Sequence, residues 1–479
     1  MDIKQSRFGK EDTICAVATP GGSTAISVIR VSGVNAISIV NEIFTPYSGK
    51  SFQEGPSRMM RFGHISKENN LIDEVLVVSF PGKASYTGEN SAEIFCHGSV
   101  FIRKEIMMIL FSKGVRQAMP GEFSMRAFLN GKVDLSQAEA VADLISSETS
   151  ASHRVAINQM KGGFSKELSQ MRSKLLNLVS LMELELDFSD EDVEFADRDN
   201  LKTLLVEVRS HIERLIDSFA LGNVIKNGVP VAIVGATNTG KSTLLNSLLG
   251  EERAIVSEIH GTTRDFIEDV VNINGTAFRF IDTAGIRKTE EKIEIIGIER
   301  TYEKIKRANI VVLMLDSERP DDFTEGVSKI AEIISSSQQT LIILINKCDT
   351  VNDPERESEL LREVNNIAEG KSLKPFAVLP FSAKSENSVS VLKDKISNAG
   401  EVSDIPSDAV LVTNLRHHQA LNLALDALVR VEEGMIAEAP TDLLAQDIRE
   451  TLFHLGEIVG EINTEEILGN IFSKFCIGK

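Results

Sequence analysis

Residues 229–242 read VPVAIVGATNTGKS, an apolar run that leads directly into a glycine-containing loop. The loop from Gly235 to Ser242 fits the pattern G-x-x-x-x-G-K-[ST], in which inward-turned backbone N–H groups surround phosphates. We expect Lys241 to reach the β- and γ-phosphates of a nucleotide and the Ser242 hydroxyl to bind Mg²⁺. The stretch therefore predicts a strand, a phosphate-binding loop and a helix, which together begin a P-loop α/β domain.

Four more short motifs follow in order along the chain. They are Thr-Thr-Arg-Asp at 262–265, Asp-Thr-Ala-Gly at 282–285, Asn-Lys-Cys-Asp at 346–349 and Ser-Ala-Lys at 382–384. The third motif selects the base, because the Asp349 carboxylate can accept two N–H bonds from guanine that adenine cannot offer. The ordered set predicts a guanine-nucleotide hydrolase. The residues expected to contact GTP are Asn238, Thr239, Gly240, Lys241, Ser242, Thr243, Ser257, Glu258, Ile259, His260, Gly261, Thr262, Thr263, Asp282, Thr283, Ala284, Gly285, Asn346, Lys347, Asp349, Ser382, Ala383 and Lys384.

Composition and net charge limit which classes of protein the chain can belong to. The chain has 479 residues, which predicts about three domains, and 42% of them are hydrophobic. The four cysteines (Cys15, Cys96, Cys348 and Cys476) form no Cys-x-x-Cys pair and are typical of reduced thiols in a cytoplasmic protein. No apolar stretch approaches the ~20 residues that span a bilayer, and we expect no signal peptide. The net charge of −19 argues against tight nucleic-acid binding by this chain alone, but it is compatible with a basic partner.

Hydrophobic periodicity divides the chain into three parts. Residues 1–120 alternate β-rich runs with turns, and we expect a small α+β domain there. Residues 121–222 show helical spacing at 133–147, 153–186 and 199–219, and the tail 400–479 returns to this spacing. Residues 223–399 alternate strands with helices, which predicts a doubly wound, parallel, Ras-like GTPase domain. We therefore expect a multidomain protein in which this α/β domain is inserted between two segments of one all-α helical domain.

The residues that would drive hydrolysis differ from those of Ras-like enzymes. Ile286 follows Asp-Thr-Ala-Gly at the position of a water-orienting Gln, and isoleucine cannot orient water. Carboxylates at 290, 291, 294 and 299 could do so, although each could equally be a surface charge. The P-loop holds no arginine, but the Asn238 amide oxygen could bind a K⁺ that supplies positive charge instead. Carbonyls of residues 256–261 would complete the K⁺ shell, and Thr262 or Thr263 would bind Mg²⁺.

Motifs outside the GTPase set carry a resemblance that covers essentially the whole chain. They include Ala-Thr-Pro-Gly-Gly at 18–22, Ser-Tyr-Thr-Gly-Glu at 85–89, Cys-His-Gly at 96–98, Pro-Gly-Glu-Phe-Ser at 120–124 and Phe-Cys-Ile-Gly-Lys at 475–479. On these residues the chain resembles the MnmE (TrmE) family of tRNA-modification GTPases. It departs from the family at Thr237, where the loop usually has proline, but it keeps the Asn238 that the family uses for K⁺.

The resemblance implies roles that the residue patterns alone leave open. In this family the N-terminal domain dimerises and binds 5,10-methylene- or 5-formyl-tetrahydrofolate, and the matching positions here are Arg30, Glu93, Lys132 and Lys479. The matching K⁺ ligands are Asn238, Ser257, Ile259 and Thr262, and the matching Mg²⁺ ligands are Ser242 and Thr263. The family's water-orienting glutamate matches Glu294, which joins Lys241 and Asn238 as expected catalytic residues. Cys476 is either a further catalytic thiol near the folate or a buried small hydrophobe.

The activity implied by the resemblance is K⁺-stimulated GTP hydrolysis coupled to tRNA modification. With an FAD-containing, NADH-using flavoprotein of the MnmG type, family members add aminomethyl or carboxymethylaminomethyl groups at C5 of the wobble uridine. We expect a cytoplasmic homodimer that binds this partner and tRNA. Two alternatives stay open: a ribosome-assembly GTPase, which would carry an appended basic domain, and a signalling GTPase, which would not bind folate.

Overall fold

The computed structural model describes residues 12–49, 56–187, 198–250, 269–281, 305–306, 308–334, 339–351, 353–400, 409–461, 465–473, 475 and 478. The chain divides into two compact units. The first comprises Met1–Ile145, Ile157–Glu213 and Gln419–Lys479, and the second comprises Ser146–Ala156 and Arg214–His418. The first unit holds the N-terminal sheet and most of the helical segments, and the second holds the P-loop. The three domain boundaries expected from the sequence remain a prediction.

The N-terminal sheet has seven strands in the order β3-β4-β5-β6-β2-β1-β7. Their bounds are β1 Ile14–Val17, β2 Ile26–Ser32, β3 Phe44–Pro46, β4 Arg61–Lys67, β5 Asn70–Phe80, β6 Ser91–His97 and β7 Arg116–Gln117. Neighbouring strands pair antiparallel except β1 and β7. Helices α1 (Ala36–Ile43) and α2 (Val100–Ser112) pack on one face, where Ile29, Val77 and Ile94 form the core with Ile106 and Leu110. This confirms the α+β fold expected for the region.

The opposite face of the same sheet carries a second set of apolar side chains. In β4, β5, β6 and β2, the strand pairing places Phe62, Leu76, Phe95 and Val28 in one row. Phe62 and Leu76 are 51% and 38% exposed, whereas their strand neighbours Ile65 and Val77 are fully buried. Because strand residues alternate between faces, burying one set against α1 and α2 leaves this row on the other side.

Helices make up most of the remainder of the first unit and the flanks of the second. Their bounds are α3 Glu122–Leu129, α4 Leu135–Ser146, α5 Ser150–Met160, α6 Gly163–Asp187, α7 Arg198–Asn227, α12 Leu415–Ile436, α13 Thr441–Val459 and α14 Glu465–Phe472. The single helix predicted over 153–186 is wrong, because the chain breaks between α5 and α6 at Gly162, whose φ is +84°. None of the described helices is long and apolar enough to cross a membrane.

The sheet of the second unit has six strands in the order β13-β12-β11-β8-β10-β9. They are β8 Val229–Gly235, β9 Asp269–Ile273, β10 Thr276–Phe280, β11 Ile310–Asp316, β12 Thr340–Asn346 and β13 Ala377–Pro380. Helices α8 (Lys241–Gly250), α9 (Phe323–Ile333), α10 (Pro354–Gly370) and α11 (Glu386–Ala399) alternate with them. Separate apolar clusters cover the two faces of the sheet, so the expected doubly wound P-loop domain is confirmed. The all-parallel expectation fails at one edge, where β9 pairs antiparallel with β10 across the turn at Gly275.

Candidate functional site

The phosphate-binding loop lies between β8 and α8, as the sequence predicts. Its two glycines are needed for different close contacts. A Cβ on Gly235 would lie 2.4 Å from the carbonyl oxygen of Met314, and one on Gly240 would lie 2.3 Å from Asn346 Nδ2. Gly240 also has a φ of +98°, which side chains with a Cβ rarely adopt. The loop can therefore lie this close to Met314 and Asn346 only because these two positions carry no side chain.

The polar groups of the loop are arranged around its own carbonyls. Lys241 Nζ donates to the carbonyl oxygens of Gly235 at 3.0 Å and Ala236 at 2.6 Å. Buried Thr239 donates from Oγ1 to Ala236 O at 2.9 Å, and exposed Asn238 has a φ of +64°. The ammonium is thus already at the mouth of the loop, beside the amino terminus of α8, where anions are favoured. Ser242 and Thr243 occupy the first turn of this helix.

Asn346 joins three of the predicted motifs into one structure. Its side chain is 3% exposed. Nδ2 donates to Thr239 O of the P-loop at 2.7 Å, and Oδ1 accepts from the backbone N–H of Ala383 at 3.0 Å. Both the donor and the acceptor of this buried amide have partners. The side chain therefore fixes the P-loop relative to the loops that carry Asn346 and Ala383, which are more than 100 residues away in sequence.

The turn that carries Asp349, the residue predicted to recognise the base, follows directly on Asn346. Residues Cys348–Thr350 form one turn of 3₁₀ helix that begins after Lys347, whose φ of +67° is left-handed. Cys348 N donates to Phe381 O at 3.1 Å, which links this turn to the end of β13, just before Ser382. Asp349 and Lys384 are exposed, so their side chains are accessible to a ligand.

Sequence reasoning missed two residues that support this site, Ser247 and Asp316. Ser247 of α8 donates from Oγ to Ala383 O at 2.8 Å. Lys347 Nζ donates to Asp316 Oδ2 at 2.7 Å and to Glu318 Oε2 at 3.2 Å. The hydrogen bond to Asp316, and then that to Glu318, raise the pKa of Lys347 above its usual range. In the sequence, Asp316 could have been noticed as a carboxylate at the end of an apolar strand. Nothing in the sequence marks Ser247.

Several predicted site residues lie outside the described part of the chain. They are Ser257, Glu258, Ile259, His260, Gly261, Thr262, Thr263, Asp282, Thr283, Ala284, Gly285, Glu294, Cys476 and Lys479. Their roles as nucleotide, K⁺, Mg²⁺ or folate contacts, and the catalytic roles of Glu294 and Cys476, remain predictions.

A second group of predicted residues meets on the N-terminal sheet. Arg30 of β2 and Glu93 of β6 are opposite each other in register, and the Arg30 Nε and one terminal nitrogen each lie 2.9 Å from Glu93 Oε1. The guanidinium carbon lies 5.4 Å from the centre of the Tyr86 ring and 5.6 Å from that of Phe123. A third contact is to Gly478 O, 3.5 Å from an Arg30 nitrogen, which brings the C-terminal segment to this pair.

Lys132 belongs to the same region through the loop that carries Tyr86. Its Nζ donates to Lys83 O at 2.8 Å. A Cβ on Gly88 would lie 3.1 Å from Lys132 Cγ, so the lysine stem lies along the 85–88 loop. The described residues of the predicted folate set therefore supply a cation, a carboxylate and a nearby lysine, and the structure adds the rings of Tyr86 and Phe123 beside Arg30. This donor set suits a flat, hydrogen-bonding heterocycle with carboxylates attached.

Comparisons with known proteins place the chain in a family. The model of the MnmE helical domain matches residues 135–476, and that of the GTP-binding protein TrmE N-terminus matches 13–132. Three curated relatives are named tRNA modification GTPase MnmE. Those of Bacteroides thetaiotaomicron and Bacteroides fragilis are 50% and 51% identical, and that of Flavobacterium psychrophilum is 49% identical. Each alignment covers 98% of this chain and 99–100% of the relative.

The solved structures that resemble this chain match a smaller part of it. A GTP-binding protein from the archaeon Sulfolobus solfataricus, in complex with GDP, is 21% identical and covers 48% of this chain and 66% of its own. Its TM-score is 0.28, so the assignment depends on the sequence relatives instead. On the two family models and the full-length relatives, the chain belongs to the MnmE (TrmE) family of GTPases.

Proposed function

We propose that this GTPase acts in the modification of the tRNA wobble uridine and adds an aminomethyl or carboxymethylaminomethyl group at C5. The observation that carries the proposal is the full-length identity of about half to relatives named tRNA modification GTPase MnmE. The net charge of −19 does not favour a ribosome-assembly GTPase, which would need an appended basic domain.

The nucleotide is held by the groups around the P-loop. Lys241 exchanges its two carbonyl contacts for the β- and γ-phosphates, and Asp349 accepts N–H bonds from guanine. Ser242 and Thr263 would hold Mg²⁺, which supplies charge at the phosphates when bound. Asn238 is exposed, so its amide oxygen is available to a K⁺ ion, and Ser257, Ile259 and Thr262 would complete that site. Glu294 then orients the attacking water.

The N-terminal sheet would bind a tetrahydrofolate that carries the one-carbon unit. Arg30 and Glu93 satisfy each other in this structure, and a folate would give each a new partner. Glu93 would accept from the pterin amino group, while Arg30, Lys132 and Lys479 would hold glutamyl carboxylates. Cys476 lies two residues before Gly478, whose carbonyl oxygen contacts Arg30, and is proposed as a functional thiol.

The open face of the N-terminal sheet supports a homodimer. The row Phe62, Leu76, Phe95 and Val28 crosses four strands and includes side chains that are more than one-third exposed. Contiguous apolar patches of this kind mark interaction surfaces. A second copy placed on it would bury the row beside Arg30 and Glu93, so dimerisation and folate binding would share one sheet.

The chemistry at uridine requires a redox partner. We propose an MnmG-type flavoprotein that holds FAD, uses NADH and contributes basic surface for tRNA, since the net charge of this chain is −19. Both would act in the cytoplasm. The coupling device would be the GTPase cycle, which changes the arrangement of the nucleotide domains.

The first test is nucleoside mass spectrometry of tRNA from cells with and without this gene. We expect the C5-aminomethyl-type wobble uridines to disappear on deletion and to return with the wild type but not with Glu294→Ala. Exposed Glu42→Ala is the matched control and should restore them. An unchanged nucleoside profile on deletion would refute the tRNA assignment.

A second test separates a signalling GTPase from a folate-using enzyme. Calorimetric titration with 5-formyl-tetrahydrofolate should show binding by the wild type and a loss of about tenfold or more for Arg30→Ala, which removes a charge-assisted partner. Arg58→Ala, a cation outside the group, should bind as the wild type does. No binding by the wild type would favour the signalling alternative.

A further inference from the structure

Asp316 ends β11 and is 6% exposed, although it belongs to none of the nucleotide motifs. The parallel pairing of β11 with β12 places it opposite Asn346, and Ser317 N donates to Asn346 O at 3.0 Å. Asp316 Oδ2 accepts from Lys347 Nζ at 2.7 Å, while Oδ1 accepts from the backbone N–H of Glu318 at 3.1 Å. Both carboxylate oxygens are therefore used, and one of them is directed at the guanine-recognition turn.

Lys347 determines the direction of that turn. Its left-handed conformation costs a residue with a Cβ about 1–2 kcal/mol, so something must hold it. Its carbonyl oxygen accepts from Thr350 N at 3.0 Å and from Thr350 Oγ1 at 2.8 Å, which closes the turn that carries Asp349. A contact that fixes Lys347 therefore fixes the path of the backbone to Asp349.

The two carboxylates that contact Lys347 are not equivalent. A buried carboxylate needs a charged or hydrogen-bonding partner, because water cannot compensate it. Glu318 is about half exposed, and its pair with Lys347 is screened by solvent. Asp316 is thus the partner that holds the ammonium in one place, and Glu318 is secondary.

We infer that Asp316 is a positioning residue for guanine recognition, which acts by holding Lys347 so that the following turn presents Asp349 to the base. This inference rests on the proposed role of Asp349 as the guanine ligand. It extends the guanine-recognition residues beyond the Asn-Lys-Cys-Asp motif to a residue of the neighbouring strand.

The test is Asp316→Asn, which keeps the size of the side chain and the acceptor for Glu318 N but removes the charge that faces Lys347. We expect the Kd for GDP to rise about tenfold, mainly through faster release, because a charge-assisted contact behind the recognition turn is lost. At saturating GTP, kcat should stay within twofold. The preference for GTP over ITP, which lacks the 2-amino group, should fall, since a displaced Asp349 no longer pairs with that group. Glu318→Gln is the matched control and should change Kd less than twofold.

A merely structural role would give a different pattern. Asp316→Asn would then lower Tm and kcat together and leave the GTP-to-ITP preference unchanged, which would overturn the inference. Asp349→Asn tests the underlying site, because an amide can donate to the 2-carbonyl of xanthine and should shift preference toward XTP. If Asp349→Asn shifts preference while Asp316→Asn leaves both GDP affinity and the ITP ratio unchanged, the guanine site stands and the inference is wrong. If Asp349→Asn shifts nothing, the proposed guanine site itself is wrong.

Discussion

The two sheets of this protein bury their strands in different ways. In the nucleotide sheet β11 is buried at every position and β12 at all but its first, and apolar clusters cover both faces. In the N-terminal sheet β5 alternates exposed and buried residues over much of its length, and only one face packs against α1 and α2. The nucleotide sheet is thus covered on both faces by its own chain, whereas the N-terminal sheet leaves the row of Phe62, Leu76, Phe95 and Val28 partly exposed.

This difference shows where each sheet can place its chemistry. A sheet covered on both faces offers only the ends of its strands, and the P-loop, Asn346 and Asp316 all lie at the carboxyl ends of β8, β12 and β11. A sheet with an open face can instead use side chains in the middle of its strands, such as Arg30 and Glu93. The P-loop region is therefore built from loops at the ends of strands, whereas the predicted folate residues Arg30 and Glu93 lie on the face of a sheet.

The largest expected effect comes from placing the same leucine-to-lysine substitution in each of the two sheets. Leu344→Lys puts an ammonium at a fully buried position of β12 and should cost more than about 4 kcal/mol, which abolishes GTP binding and cooperative unfolding of this unit. Leu76→Lys lies in the open row and should lower Tm far less than Leu344→Lys does, by no more than the loss of the proposed dimer accounts for. Light scattering after size exclusion should show that it shifts the protein from dimer to monomer.

The control for dimerisation is Leu176→Lys, which places the same charge on a more exposed helical position, 57% accessible against 38% for Leu76. It should leave the mass in solution unaltered. A dimer that persists in Leu76→Lys would show that the open face is not the interface.

A smaller effect sharpens the account of the nucleotide site. Gly240→Ala adds a methyl group 2.3 Å from Asn346 Nδ2, at a φ of +98°. We expect it to weaken GDP binding by about 100-fold or more, measured with a fluorescent nucleotide, because the bridge from Asn346 to the P-loop must open. Gly275→Ala has a similar φ of +85° but nothing within 4 Å of the added Cβ, so it isolates backbone strain. If both variants lose affinity equally, strain and not close approach explains the result.

The smallest effect concerns the charges that support the N-terminal sheet. Buried Glu122 bonds to Arg116 at 2.6 Å and to Arg126 at 3.0 Å. Burial alone would raise the pKa of Glu122, but the hydrogen bonds from Arg116, Met119 N and Arg126 outweigh it and hold the pKa below its usual value. Its contribution to stability is therefore complete above the ordinary carboxyl pKa of 4.5 and is lost as pH falls through the lower folded value.

We expect Glu122→Gln to cost about 2 kcal/mol in urea unfolding at pH 7, because two cations lose a carboxylate. The loss should shrink as the pH falls below 4.5, because the carboxyl of the unfolded chain takes up a proton first and the folded one follows at its lower pKa. Glu42→Gln is the control; its pair with Lys113 is exposed, and it should cost under about 0.5 kcal/mol at either pH. A pH-independent cost for Glu122→Gln would mean that shape, not charge, is what the site needs.

Much of the fold follows from local patterns. The apolar run that begins at Val229 forms β8, as its sequence predicts, and β11 and β12 are also continuous apolar runs. Strand β9 (Asp269–Ile273) was not predicted, because it is short and is stabilised by pairing with β10. The break between α5 and α6 at Gly162 was not predicted either, because helical spacing continues on both sides of it and a helix tolerates a single glycine.

By itself the sequence determined the P-loop fold, the order of the GTPase motifs and the family, because these depend on short contiguous patterns with a direct mechanism. Only the tertiary structure decided that Asn346 bridges two loops, that Asp316 holds Lys347, and that Arg30 stands opposite Glu93. Each of these contacts joins residues that are at least 31 positions apart. Their meeting depends on strand order and register, which arise from packing across the whole sheet and which no local window of sequence contains.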